Sequence, residues 1–265
     1  MTKKLVKNSS IDLKSSGLHK YDFLNFPEKN VTFNVASKLC LQIEISNISD
    51  GSSIEFFVGS NSEVNLTFFI NDGICKFSFK GMLYKNSQLN VNGVDFSLEN
   101  TKVNSNIILF GDSSSSVWNF SSLSFNGARK EYDISFDHIG KSTTSKMNNY
   151  GVAKDASTLF FEGSSHIEHT AVKANAKQIA KIIIFDEKCY AKSDPILKID
   201  NNDVQAGHGA VVGTLNPDHM FYLCSRGVSE KDARNLITAG YLKPVLKSFN
   251  KKDELYLNHL LEERI

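Results

Sequence analysis

From Ser53 to about Val172, apolar and polar residues alternate with a period of two, as in Val64, Leu66, Phe68 and Ile70, in Leu89 and Val91, and in Val94, Phe96 and Leu98. Successive side chains of an extended chain point to opposite faces, so each run predicts a short strand with one buried face. Between the runs stand Asn71-Asp-Gly73, Asn92-Gly93, Gly111-Asp-Ser-Ser-Ser-Ser116 and Asn126-Gly127. These residue types form turns by tolerating left-handed backbone or by bonding their side chains to the main chain. The turn rhythm is compatible with an antiparallel sandwich, a barrel or a parallel solenoid, and no strict consensus repeat chooses among them.

Towards the C-terminus the pattern becomes helical. Ser229-Glu-Lys-Asp232 has capping-box-like spacing, Ala233, Leu236 and Ile237 share a helical face, and Gly240 can end that helix. Beyond Pro244, Leu257, Leu260, Leu261 and Ile265 line one side of a second helix, with Asp253, Glu254, Asn258, Glu262 and Glu263 elsewhere. Just upstream, Phe221 to Cys224 reads as a last strand, Phe221 and Leu223 on one face and Tyr222 and Cys224 on the other. The first residues mix Lys-rich and Asn-rich stretches with a possible strand at Leu39 to Ile45. The chain is therefore expected to divide into a lead-in and capping segment (1–50), a β-rich core (51–225) and a helical segment (226–265).

Length and charge narrow the function. At 265 residues the chain suits one large domain or a core with a small appendix. With 30 basic and 29 acidic residues spread along it, no basic field is available for nucleic acid or an anionic membrane. The basic start Met1-Thr-Lys-Lys-Leu-Val-Lys-Asn is followed by no apolar stretch of a signal peptide, and no run approaches the ~20 residues of a membrane span. Cys40, Cys75, Cys189 and Cys224 form no CxxC pair, which fits neither a zinc ribbon nor a disulfide framework, so a reducing cytoplasm is expected.

Several motifs carry possible chemistry. Gly140-Lys141-Ser142-Thr143 looks like the end of a phosphate-binding loop, but the required first glycine is Ser135 and no amphipathic helix follows, so no intrinsic nucleotide site is expected. His166 and His169, three apart on a strand, project from opposite faces and read as solvent-facing. His138 continues the face of Tyr132, Ile134 and Phe136 and reads as a hydrogen-bonded core histidine. Cys224, next to Ser225-Arg226-Gly227, is either a thiol activated near a helix start or a buried small side chain, burial being favoured. His208, between Gly207 and Gly209, is a competent iron ligand or a turn histidine at a strand end. No nucleophile, base and orienting acid stand out together.

Asp137-His138, Gly151 to Ala156 leading to Phe160-Phe-Glu-Gly163, Gln178 to Asp186, Pro195 to Ile199, Asp203 to Gly213 and Phe221 to Ala239 occur in the order found in the SufB/SufD family of iron-sulfur cluster assembly scaffolds, which the chain resembles. The resemblance implies a mainly β fold: a right-handed parallel β-helix core with a short C-terminal α-helical segment. Subunits of that family pair through the β-helix, and their helices dock on a SufC-type ABC ATPase. In its B-type members the His208 position is followed by Glu, and a cysteine comes shortly after the glutamine matching Gln178. Here Gly209 and Ile179 stand there, a D-like pattern.

The resemblance therefore implies a non-catalytic, SufD-like subunit of a SufBCD complex. His208 would be one ligand for iron or an Fe-S cluster held transiently at an interface with a SufB-type subunit or a second copy. Cys224 or Cys189 would be the thiolate of a self-sufficient version. Arg226, Leu236, Ile237, Leu257, Leu260 and Leu261 would belong to the partner-binding helices. The reading from another class is a β-helical carbohydrate-active or adhesive protein unrelated to Fe-S assembly.

Overall fold

The computed structural model describes residues 9–23, 29–48, 50–73 and 75–265. Consecutive strands alternate between two sheets. One runs in the order β1 (Ser9–Leu13), β3 (Asn30–Val35), β5 (Ser52–Val58), β7 (Cys75–Leu83), β9 (Thr101–Leu109), β11 (Arg129–His138), β13 (Thr158–Ile167) and β15 (Tyr190–Ile199). The other contains β2 (Gly17–Asp22), β4 (Cys40–Ile48), β6 (Glu63–Ile70), β8 (Gln88–Asp95), β10 (Ser115–Ser124), β12 (Thr144–Ala153), β14 (Asn175–Ile184) and β16 (Gln205–Thr214). Every strand pairs in parallel with the strand two further along, for example Ser115 beside Thr144 and Thr144 beside Asn175. The chain is thus a parallel β-helix.

The repeat is one of conformation, not composition. Lys38, Asn61, Asn86, Ser113, Ser142 and Lys173 all adopt left-handed backbone, with φ between 54° and 66°. Each donates its N–H to a carbonyl at the same corner of the next rung, Ser60, Lys85, Asp112, Lys141, Val172 and Asp203, at 2.6–3.0 Å. Successive corners lie 23, 25, 27, 29 and 31 residues apart, so each rung is two residues longer than the last. A step of two preserves the inward and outward alternation of the strands, whereas a step of one would turn every later side chain to the wrong face. Gly140-Lys141-Ser142-Thr143 is one of these corners.

Inward positions fill the helix with apolar side chains, including the stacked pairs Phe33–Phe56 and Trp118–Phe120 at 4.7 and 5.9 Å. Outward asparagines bond from rung to rung, Asn119 to Asn92 and Asn148 to Asn119 at 2.9 and 2.7 Å, which accounts for much of the asparagine content. The segment expected as a lead-in over 1–50 supplies β1 to β4 to the same two sheets, β4 covering most of the strand expected at Leu39 to Ile45, while residues 1–8, 24–28 and 49 lie outside the described residues. At the other end the strands stop at Thr214, and Phe221 to Cys224 lie on α1 (Pro217–Ser225), not on a strand. Asn216 caps that helix, its side chain accepting from the Asp218 amide, and Pro217 occupies a first-turn position where no N–H is needed.

Helices α2 (Glu230–Leu246) and α3 (Lys251–Arg264) lie along the even-strand sheet. Leu242, Val245, Leu246, Leu257 and Leu261 cover Val94, Phe96, Leu123 and Val152, whose outward positions are apolar for that reason. This packing carries α2 through Gly240, where an interior glycine costs only about 1 kcal/mol. Arg264 fastens α3 to the β-helix by a two-pronged bond to Asp72 at 2.7 and 2.9 Å.

Candidate functional site

Among the described residues β15 and β16 have a strand neighbour on one side only, so the last rung of the β-helix lies open. His208 sits in the middle of β16, directly beside Gln178 of β14. Parallel neighbours in register present their side chains to the same face, and Gln178 points inward, between the buried Ala176 and Ala180. His208 therefore shares the inner face of the helix, yet it is exposed because no further rung covers it. Both residues line a recess of about 370 Å³ that also includes Lys177, Ile179, Gly207 and Gly209.

The geometry at Gln178 is incomplete. Its amide donates to Ser165 Oγ at 2.7 Å and to the Ile196 carbonyl at 3.1 Å, while its Oε1 is buried without a donor. Asn149 Oδ1, which lines the same small void below the recess, is also without one. Buried acceptors of this kind are costly when unpaired, and both residues line one small void. Asn149 and the Ile196 carbonyl were not foreseen. Gln178 carried a signal: it is a polar residue on the inward phase of an otherwise small and apolar strand.

Gly209 and Ile179 are register partners across β14 and β16. A Cβ at Gly209 would meet no atom within 4 Å, so a longer side chain would fit and its absence is a chemical difference rather than a steric demand. No cysteine lines the recess. Cys224 is exposed in the last turn of α1, which corrects both its expected burial and the premise that it lies near a helix start. Cys189 is half-buried after β14. Cys75 is buried inside the β-helix, where burial pushes its thiol up to about 12 and keeps it inert.

The residues expected on the partner-binding helices divide. Leu257 and Leu261 are buried against the even-strand sheet, with Leu260 and Ile237 packed beside them, so this stripe is satisfied within the chain. Leu236 is 56% exposed. Arg226 is exposed at the C-cap of α1, its guanidinium 5.3 Å from the Tyr222 ring, and Gly227 closes the helix with left-handed backbone at φ 88°. Phe221 and Tyr222, 76% and 58% exposed, extend an apolar surface next to it.

His138 is the core histidine expected. It is fully enclosed, Nδ1 and Nε2 each 2.8 Å from the Thr143 and Ser145 hydroxyls, and burial pushes its pKa down to about 4. Because the unfolded chain takes up this proton near pH 6.5 and the fold resists it to about 4, stability falls as pH drops through that window. The loss attributable to His138 is about 3 kcal/mol. Urea midpoints at pH 7 and pH 4 should converge more in His138→Gln than in the parent; an equal pH slope in both would refute the assignment.

The structure defines a class of protein: a parallel β-helix that presents its candidate ligand on an uncovered last rung rather than in an enclosed cleft. The model of the family described as SUF system FeS cluster assembly, SufBD core domain, matches residues 28–241, and the chain belongs to this family. It is similar to the iron-sulfur cluster assembly protein SufD of Bacillus subtilis, 41% identical over 109 residues, or 41% of this chain and 25% of that protein. It is also similar to SufB of the same organism, 24% identical over 140 residues (53% and 30%), and to a SufBD family protein of Synechocystis, 28% identical over 141 (52% and 29%). The chain matches less than a third of the length of each. Membership in an Fe-S assembly family sets aside the unrelated carbohydrate-active or adhesive reading.

Proposed function

We propose that the chain is a SufD-like, non-catalytic scaffold subunit in iron-sulfur cluster assembly, and that its last rung is completed by another subunit. The observation that carries this reading is the exposed His208 on the inner face of an unpaired strand, beside a buried glutamine oxygen that has no donor. A free strand edge is a template for pairing, and Ile196 and Ile199 on β15 and Val211 and Val212 on β16 are 39–61% exposed.

A cluster is cargo here. The recess offers one imidazole and no thiolate, whereas Fe-S clusters are held chiefly by cysteine sulfur, so the remaining donors belong to a SufB-type partner. A second copy of the chain is the competing occupant. A SufC-type ATPase docks on the C-terminal helices, where Phe221, Tyr222, Arg226 and Leu236 are exposed, and supplies the nucleotide chemistry. Four free cysteines fit a reducing cytoplasm, and no helix among the described residues is long and apolar enough to cross a membrane.

Co-expression with Bacillus SufB and SufC, followed by pull-down and anaerobic reconstitution with Fe²⁺ and sulfide, tests the reading. Val211→Asp should abolish recovery of the B-type chain, and His208→Ala should cut retained iron and sulfide at least about tenfold while leaving the complex intact. Undiminished recovery and retention in both variants would overturn it. Recovery of SufC without SufB, with retention lost in Cys224→Ser, would instead support a self-sufficient homodimer.

A further inference from the structure

On the outer face of the odd-strand sheet, one strand in from the open edge, three donors converge. His166 Nε2 lies 2.8 Å from Asp200 Oδ2, and its Nδ1 lies 3.4 Å from Glu168 Oε1. One ligand atom from each residue falls within 4.8 Å of the other two. Donors of a tetrahedral shell with bonds of about 2.1 Å stand roughly 3.4 Å apart; Asp200 and Glu168 now meet different ring nitrogens, so one carboxylate swings from its present partner for all three to share one ion. His169 Nδ1, 3.4 Å from the Asp200 carbonyl, places a second imidazole on the same corner.

The backbone beneath these side chains is fixed across rungs. Glu168 N donates to the His138 carbonyl at 3.0 Å, Asp200 N to the Ile167 carbonyl at 2.9 Å, and Asn201 Nδ2 to the His169 carbonyl at 2.7 Å. The expectation that His166 and His169 sit three apart on one strand is corrected: β13 ends at Ile167 and His169 lies in the following turn. Glu168 lies two residues from His166, on the same phase of the chain, and Asp200 comes from the neighbouring rung.

We propose that this corner binds a first-row divalent transition metal through one imidazole nitrogen of His166 and the carboxylates of Glu168 and Asp200. The donor set selects the metal class: imidazole disfavours Mg²⁺ and Ca²⁺, which take oxygen ligands, and the lack of sulfur disfavours soft Cu⁺. Lys198 Nζ, 3.7 Å from Asp200 Oδ2 and largely exposed, is the cation that the metal replaces. The site is on the opposite sheet from His208 and stands independently of the scaffold reading.

The test uses the whole chain, alkylated with iodoacetamide so that no accessible thiolate competes, and titrated with Co²⁺ by visible absorption and calorimetry. One equivalent should bind and produce ligand-field bands. His166→Ala and the isosteric Asp200→Asn should each weaken binding by about 100-fold or more, beyond what losing an outer partner of a ligand costs. Both variants keep His208, so binding there would survive them. Undiminished affinity in Asp200→Asn, or a parent Kd weaker than about 1 mM, overturns the proposal. Circular dichroism confirms that the variants fold, and Asp200→Asn decides if His166→Ala does not.

Discussion

Lys130→Met is expected to destabilise the protein by about 3–5 kcal/mol, read as a lowered urea midpoint at unchanged slope. Lys130 is fully enclosed inside the β-helix, its Nζ 2.7 Å from Asp95 Oδ1, 2.9 Å from the Ser97 carbonyl and 3.2 Å from Ser97 Oγ. Tyr132 donates its hydroxyl to Asp95 Oδ2 at 2.6 Å and meets Ser122 Oγ at 2.8 Å. Burial holds the ammonium below its ordinary pKa while the Asp95 carboxylate pulls the other way.

Methionine fills the space of the lysine stem but leaves a carboxylate buried without its cation, and that uncompensated charge, not lost volume, sets the cost. Adding Asp95→Leu to Lys130→Met should restore part of the loss, because the stranded charge is then gone although Ser97 and Tyr132 lose an acceptor. A loss below about 1 kcal/mol in Lys130→Met would show that water reaches the pair.

This buried pair marks a limit on what residue patterns reveal. Lys130 and Tyr132 share the inward phase of β11, but a lysine on that phase gives no sign of its partner on β8, 35 positions earlier. Strand periodicity was legible because burying one face enforces it. The architecture was not legible from spacing, because a rung that lengthens by two residues per turn has no fixed period to detect. The resemblance supplied the parallel β-helix that periodicity left open.

Local signals misled at α1, where four apolar or aromatic residues, Phe221 to Cys224, read as a strand. The true signal was Asn216-Pro217-Asp218, a helix start, immediately before them. His208 stands out in the sequence as a candidate through its flanking glycines. Its inward orientation and its pairing with Gln178 depend on the β14–β16 register, which only the fold provides. Likewise, one apolar stripe on α3 cannot tell an internal sheet from a partner; Leu257 and Leu261 face the sheet.

Gly111→Val should cost more than about 4 kcal/mol or prevent folding, the extreme tail of single substitutions. Gly111 opens a corner whose rungs stack backbone on backbone. A Cβ there would lie 2.1 Å from Lys85 N and 2.3 Å from the Tyr84 carbonyl carbon, and one on Gly140 would lie 2.5 Å from the Gly111 carbonyl carbon. Main chain held by ladder bonds cannot yield as a side-chain tip does, so the clash must open the rung and break bonds such as Gly111 N to Leu83 O and Asn86 N to Asp112 O, both 2.9 Å. Two other glycines separate this steric cause from conformational ones. Gly127 has open space but φ 71°, so Gly127→Ala should cost about 1 kcal/mol from backbone strain alone. Gly213 has open space and no left-handed backbone, so Gly213→Ala should stay within about 0.5 kcal/mol. Urea denaturation of the three variants should follow that order. If Gly111→Val instead matches Gly127→Ala, the rungs at this corner are not packed closely enough to require glycine.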